Sequence, residues 1–170
     1  MNITIIPVGN IDDEVLKSIA SVIGGTFNLE TEIAGKKAVP KSAYNARRKQ
    51  FSAHEFIEIA KQENGWKILA ITDVDIYAKN LNFVFGQAEL KGKACVVSTH
   101  RLAAMPGLDG LLIKRACKEA VHELGHTFGL HHCSDMSCVM CFSPNVEGVD
   151  AKNVYFCSAC IEKYARSEKV

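Results

Sequence analysis

No apolar run in this 170-residue chain approaches the roughly 20 residues that a helix needs to cross a bilayer, which excludes a helical membrane span. A secretory leader is also missing, because the apolar stretch Ile3 to Val8 is short, lacks basic residues ahead of it and runs into Asp12-Asp13. The expected location is the cytoplasm. Neither sign of charge is in excess, with 20 Lys and Arg against 19 Asp and Glu, and a nucleic-acid partner would call for a much larger positive surplus. Arg47-Arg48-Lys49 therefore reads as a solvated face. Internal repeats, low-complexity tracts and long linkers are absent too. At 48% hydrophobic residues, one compact domain of this length buries roughly 70% of its unfolded surface.

Cysteine is plentiful by contrast. Five of the seven cysteines crowd into Cys133–Cys160, and in a reducing compartment such clusters are metal ligands more often than disulfides. The segment 133–170 is too short to build a core of its own, and a zinc ion held by four thiolates would supply the missing constraint. Spacing alone suggests the two C-x-x-C pairs, Cys138/Cys141 and Cys157/Cys160, as its ligands. Cys95 and Cys117 have apolar neighbours and read as buried structural thiols.

Chemistry is concentrated in His122-Glu123-Leu124-Gly125-His126-Thr127-Phe128-Gly129-Leu130-His131-His132, an H-E-x-x-H-x-x-G-x-x-H run. Two histidines four residues apart stand one above the other on a helix, where both imidazoles reach one zinc ion. Glu123 is offset by roughly 100°, beside the metal, where it can take a proton from a water on the zinc. In a continuous helix His132 would lie roughly 15 Å from His122 along the axis, so the chain must turn back. Gly129 stands where a residue without Cβ can adopt the left-handed conformation that ends a helix. Three protein ligands leave one position open, the mark of a catalytic zinc.

The flanking pattern agrees with a helix at about 109–129. Ile113, Cys117, Ala120, Leu124 and Phe128 form an apolar stripe, with Arg115, Glu119, His122 and His126 as a second stripe between them. Pro106 and Gly107 mark a loop before it. His131 could compete with His132 for the third ligand position, but the register of the motif favours His132. His54 and His100 have no partner at ligand spacing and read as surface or hydrogen-bonded histidines.

The extended zinc motif followed by a methionine resembles the metzincin signature. With His132-Cys133, Cys138-Val139-Met140 and Cys157-Ser158-Ala159-Cys160, it looks like the archaemetzincins in particular. The likeness extends upstream through Thr72-Asp73-Val74-Asp75-Ile76-Tyr77 and Leu81-Asn82-Phe83-Val84-Phe85-Gly86-Gln87-Ala88, and so covers roughly residues 66–164. The resemblance implies that Met140 is the Met-turn residue, an apolar floor beneath the catalytic zinc. It also implies a structural zinc held by Cys133, Cys138, Cys157 and Cys160, in contrast to the set suggested by spacing. Cys141 lies outside that family pattern.

The coarse order of elements starts with a strand at 2–8 and a helix at 12–23 that Gly24-Gly25 stops. A strand at 26–34 follows, in which Phe27, Leu29, Thr31 and Ile33 alternate with polar residues. Next come a helix at about 53–63 introduced by the capping box Ser52-x-x-Glu55, an interior strand at 66–72, and strands at 82–89 and 93–99. This order predicts an α/β (α+β) fold, a mixed twisted sheet packed with helices. The family likeness adds an antiparallel edge strand beside the cleft, assigned to Asn82–Leu90, to which an extended peptide could add as a further strand. A single domain is expected, with an N-terminal subdomain, residues 1–131, carrying sheet and active-site helix and a zinc-stapled C-terminal subdomain, residues 132–170. The expected activity is peptide hydrolysis by a monomer carrying two zinc ions, with His122, His126 and His132 as catalytic-zinc ligands and Glu123 as general base. The rivals are a zinc-stabilised peptide-binding domain without proteolysis and a redox-sensing module built on the cysteines.

Overall fold

The computed structural model describes residues 1–103 and 109–167, and the loop expected at Pro106-Gly107 lies outside them. Four parallel strands and one antiparallel strand form the main sheet, in the order β2 (Glu30–Ile33), β1 (Asn2–Val8), β5 (Lys67–Thr72), β8 (Ala94–Ser98) and β7 (Gly86–Ala88). Only β7 runs antiparallel, against β8 at the sheet edge. A small second sheet joins β3 (Tyr44–Asn45), β4 (Gln50–Ser52) and β6 (Ile76–Tyr77), with a 3-10 turn at Lys41–Ala43 before it.

Alternation along the buried strands sorts side chains between the two faces of the main sheet. Ile3, Ile5, Leu69, Ile71, Cys95 and Val97 meet α1 (Asp13–Phe27) and α3 (Asp109–Thr127) on one face. Ile6, Val8, Ile68, Ala70, Ala94 and Val96 meet α2 (Ala53–Lys61) on the other. Beyond α3 the chain forms α4 (Val146–Ala151) and α5 (Ser158–Ser167). Stacked and edge-on contacts among Phe27, Phe128, Phe156 and Tyr164 tie α5 back to α1 and α3.

Several expectations need correction. Helix α1 does not stop at Gly24-Gly25 but continues to Phe27, and Asn28 supplies the left-handed cap at φ 53°, donating its N–H to Gly24 O. Two helical glycines cost about 1 kcal/mol each, whereas burial of Phe27 returns about 1.5–3 kcal/mol. A Cβ at Gly24 would lie 3.4 Å from Leu29 O and from Thr31, ordinary contact distance, so packing does not require glycine there. The strand expected at 26–34 shrinks accordingly to Glu30–Ile33, an edge strand on which Ile33 is exposed. Helix α2 ends at Lys61, and Ser52 is its N-cap without a side-chain capping bond.

Arg47, Arg48 and Lys49 are exposed, as expected of a solvated face, but Arg48 is also engaged by the fold. Its guanidinium lies over the Tyr77 ring and donates to Gln50 and to the carbonyls of Leu81 and Asn82. Gln50 also donates to Asn82 O, and Val84 N–H donates to Ile76 O. These bonds hold Asn82–Val84 out of the main sheet, so the edge strand expected over Asn82–Leu90 is reduced to Gly86–Ala88. At its other end the chain turns at Lys91, where φ is 56°.

Lys67, the one charge in β5, is buried at the carboxyl end of α3. Its ammonium donates to Thr127 O at 2.8 Å and Gly92 O at 2.7 Å, satisfying one of the helix's terminal carbonyls and opposing its dipole. Replacement by methionine keeps the apolar stem and leaves both carbonyls without that donor. Lys67→Met is expected to lower stability by about 1–3 kcal/mol, read by urea unfolding; an unchanged midpoint would refute the structural role.

Candidate metal centre and catalytic cleft

Helix α3 ends as the local sequence requires. Gly129 adopts φ 87°, its N–H bonds to His126 O at 2.9 Å, and Leu130 N–H reaches Gly125 O at 3.0 Å. This pair of bonds is the Schellman arrangement, open to a residue without Cβ. The reversal carries His132 back beside the helix, so that one ligand atom from each of His122, His126 and His132 lies within 4.8 Å of the others.

Two of the rings are oriented from behind. His122 Nδ1 is 2.8 Å from Val139 O and His126 Nδ1 is 2.7 Å from Leu130 O. A carbonyl can only accept, so each Nδ1 carries the proton and each Nε2 presents a lone pair. Those two Nε2 atoms approach to 3.1 Å, close to the separation of about 3.4 Å that tetrahedral zinc with bonds of about 2.1 Å would impose. The donor set fits the metal. Burial is the first cause that lowers the pKa of all three histidines, with Lys152 adding to it, so the imidazoles stay neutral and able to ligate.

Glu123 is buried, and burial raises its pKa well above the usual carboxyl value, with Glu119 one turn away adding to the shift. Its carboxyl group is accommodated by Gly86 on β7, where a Cβ would fall 2.5 to 2.7 Å from the Glu123 side chain. Beneath the histidines, a Cβ at Gly125 would lie 2.5 Å from Met140 Sδ, and Met140 is fully buried. His131 lies outside the three-histidine group and lines the same cleft with its side chain exposed. His54 is exposed, and His100 Nδ1 meets Asp73 O at 3.2 Å.

The cleft has a volume of about 630 Å³ and runs between β7 and the segment Phe142–Pro144, with His122, Glu123, His126 and His132 along it. Along β7, Ser98 N–H donates to Phe85 O and Glu89 N–H donates to Ala94 O. Antiparallel alternation then turns the backbone groups of Gly86 and Ala88 away from β8, toward the open edge.

Four sulfurs form a second group. One Sγ from each of Cys133, Cys138, Cys157 and Cys160 lies within 4.8 Å of the others, and Cys141 is not among them. Cys133 Sγ and Cys157 Sγ are 3.7 Å apart, against about 3.8 Å for a tetrahedron with Zn–S bonds of about 2.3 Å. Backbone N–H groups of Asp135 and Cys157 donate to the sulfurs of Cys133 and Cys138. The zinc-ribbon pairing suggested by spacing is not the arrangement that the fold assembles, because Cys141 turns toward Phe142 O. Cys95 and Cys117 are buried, and burial pushes Cys117 up to about 11.

The polar support of the cleft comes from residues that carry little or no signal in the sequence. Glu119 and Lys152 form a buried ion pair at 2.8 Å, and Lys152 also reaches Cys141 O at 3.3 Å. Glu119 had a signal, four residues before Glu123 on the ligand stripe. Lys152 had none, since only tertiary packing brings it to the helix. Arg115 likewise holds Asp150 through two bonds of 2.8 and 2.6 Å, joining α3 to α4.

Comparison with known proteins agrees with this geometry. A family model described as peptidase family M54 matches residues 36–166. Archaemetzincin from Natronomonas pharaonis is 42% identical over 170 aligned positions, covering 94% of this chain and 97% of the relative, and archaemetzincin from Methanocaldococcus jannaschii is 42% identical, covering 96% and 92%. Among solved structures, archaemetzincin from Methanopyrus kandleri superposes with a TM-score of 0.87 at 34% identity, covering 99% of this chain and 97% of that one. The Archaeoglobus fulgidus archaemetzincin, complexed with malonate, gives 0.85 at 40% identity over 96% and 99%. The chain belongs to peptidase family M54, the archaemetzincins, and is a zinc metallopeptidase.

Proposed function

We propose that the chain hydrolyses peptide bonds with Glu123 as general base and carries two zinc ions, one held by His122, His126 and His132 and one by Cys133, Cys138, Cys157 and Cys160. The observation that carries this reading is the meeting in one cleft of three neutral imidazoles, two with Nδ1 fixed on carbonyls, and a buried carboxyl group. When bound at the histidines, zinc supplies Lewis acidity toward the scissile carbonyl and acidifies water. Burial gives the Glu123 carboxylate a raised proton affinity, suited to taking a proton from water and passing it to the leaving amine. Gly86 keeps the space that this carboxylate occupies. The outward backbone groups of Gly86 and Ala88 can pair with an extended substrate and lay its scissile bond across the cleft. The four cysteines act structurally, joining the segment after His132 to α5. A reducing, cytoplasmic setting is the one in which such clustered cysteines serve as metal ligands.

The direct test digests a peptide library with the native protein and with Glu123→Ala. Loss of hydrolysis with zinc retained is expected, because Glu123 is assigned to proton transfer and not to coordination. Parental activity in the variant, or no cleavage of any peptide by the zinc-loaded native protein, would refute the mechanism.

Gly86→Ala should lower kcat/KM by about 10²-fold at unchanged zinc content, since the new methyl group displaces the Glu123 side chain from its place. Activity within a factor of two of the parent would show that Gly86 does not position the base.

Native mass spectrometry separates the two metals. Cys133→Ser is expected to lose the thiolate-bound zinc and to unfold at lower temperature, whereas Cys141→Ser keeps both ions. Retention of two zinc ions by Cys133→Ser would exclude the proposed ligand set.

A further inference from the structure

On the far side of α3 from the catalytic cleft lies a second cavity, of about 750 Å³, enclosed by α1, α3 and the segment Asp150–Tyr155. Its size is that of a small-molecule pocket. Val22, Ile113 and Val154 contribute to its apolar wall. Three lysines stand around it, Lys17 from α1 with Lys114 and Lys118 one turn apart on α3.

Two of these three ammonium groups have no partner in the described fold. Lys17 and Lys114 make no ion pair or hydrogen bond among the described residues. Lys118 donates to two carbonyls, Val149 O at 2.9 Å and Asp150 O at 3.0 Å. An ammonium has three N–H donors, so one remains. Asp150, which also lines the cavity and attracts Lys118, is shared with Arg115, which engages both of its oxygens. Lys152, also on the cavity wall, is paired with Glu119 on the other side. Lys17 and Lys114 therefore remain unanswered positive charges at the rim of an apolar pocket, with Lys118 partly answered by Asp150.

We propose that this cavity binds a small amphipathic anion, with a carboxylate, sulfonate or phosphate head among Lys17, Lys114 and Lys118 and an apolar body against Val22, Ile113 and Val154. The site shares no lining residue with the catalytic cleft and does not depend on the peptidase mechanism.

Calorimetric titration of the zinc-loaded protein with decane-1-sulfonate and with decan-1-ol tests it, because a sulfonate is a weak zinc ligand and the alcohol differs only in the head group. The sulfonate should bind about tenfold more tightly, the sum of two or three partly exposed ion pairs, and the preference should shrink with added salt. The double variant Lys17→Gln, Lys114→Gln should lose most of it. Cys117 lines the cavity and its thiol is pushed up to about 11. Alkylation at alkaline pH, mapped by mass spectrometry, should therefore be slowed at Cys117 by the sulfonate. Equal binding of alcohol and sulfonate, an undiminished preference in the double variant, or unprotected Cys117 would overturn the proposal. So would loss of the preference after the histidine-bound zinc is stripped by a chelator, since the probe would then sit in the catalytic cleft.

Discussion

The left-handed turn at Gly129 is the constraint on which both candidate metal centres rest. Its two bonds, Gly129 N–H to His126 O and Leu130 N–H to Gly125 O, close α3 and reverse the chain within three residues. The reversal places Leu130 O against His126 Nδ1 and sets His132 beside the helix. A Cβ at position 129 would face strain from the positive φ and a contact of 2.8 Å with Lys91. Without that turn, His122 and His126 would share a face of α3 with no third ligand, and Cys133 would not begin the four-sulfur group.

Burial sets the electrostatics around that turn. Removing imidazole from water disfavours its charged form, and Lys152 adds positive potential, so the three histidines resist protonation below their ordinary pKa. The same burial acts in the opposite direction on Glu123, where it favours the protonated form, with Glu119 reinforcing it and Lys152 opposing. A buried ion pair such as Glu119–Lys152 contributes little net stability, but removal of one partner costs about 3–5 kcal/mol. Its value here is positional: it holds α3 and the backbone after Met140 at a fixed distance.

How much of this was legible in the chain depended on whether the signal was local. The helix carrying His122, Glu123 and His126, the stop at Gly129, the interior strand at Lys67–Thr72 and the buried cysteines follow from periodicity and from backbone permissiveness over a few residues. Where local propensity and tertiary packing compete, local signals mislead: Gly24-Gly25 reads as a helix stop, yet burial of Phe27 offsets the cost of two glycines. The edge strand that the family likeness suggests over Asn82–Leu90 is shortened by contacts with no local signal: Arg48 and Gln50, more than 30 residues earlier, hold its first half, together with the bond from Val84 N–H to Ile76 O. Spacing misled for the thiols as well. Cys141 completes a C-x-x-C pair in sequence, while the turn after Met140 sends its sulfur away from the other four.

His132 and Cys133 are adjacent, so the two candidate centres share one peptide unit, and neither can shift without moving the other. Cys133 N–H bonds to Met140 O at 3.0 Å, and the neighbouring carbonyl of Val139 orients His122. Val139 N–H is in turn held by Tyr155 O, two residues before Cys157. A path of hydrogen bonds and backbone therefore runs from His122 through Val139 and Tyr155 to the four-sulfur group, and from Cys133 to His132. Metal at the cysteines would fix this path from one end, since thiolates drawn to one ion cannot separate, and the segment after His132 has few buried apolar side chains to do so instead. In that arrangement a short C-terminal segment with little core of its own can hold an imidazole to the precision that metal coordination demands.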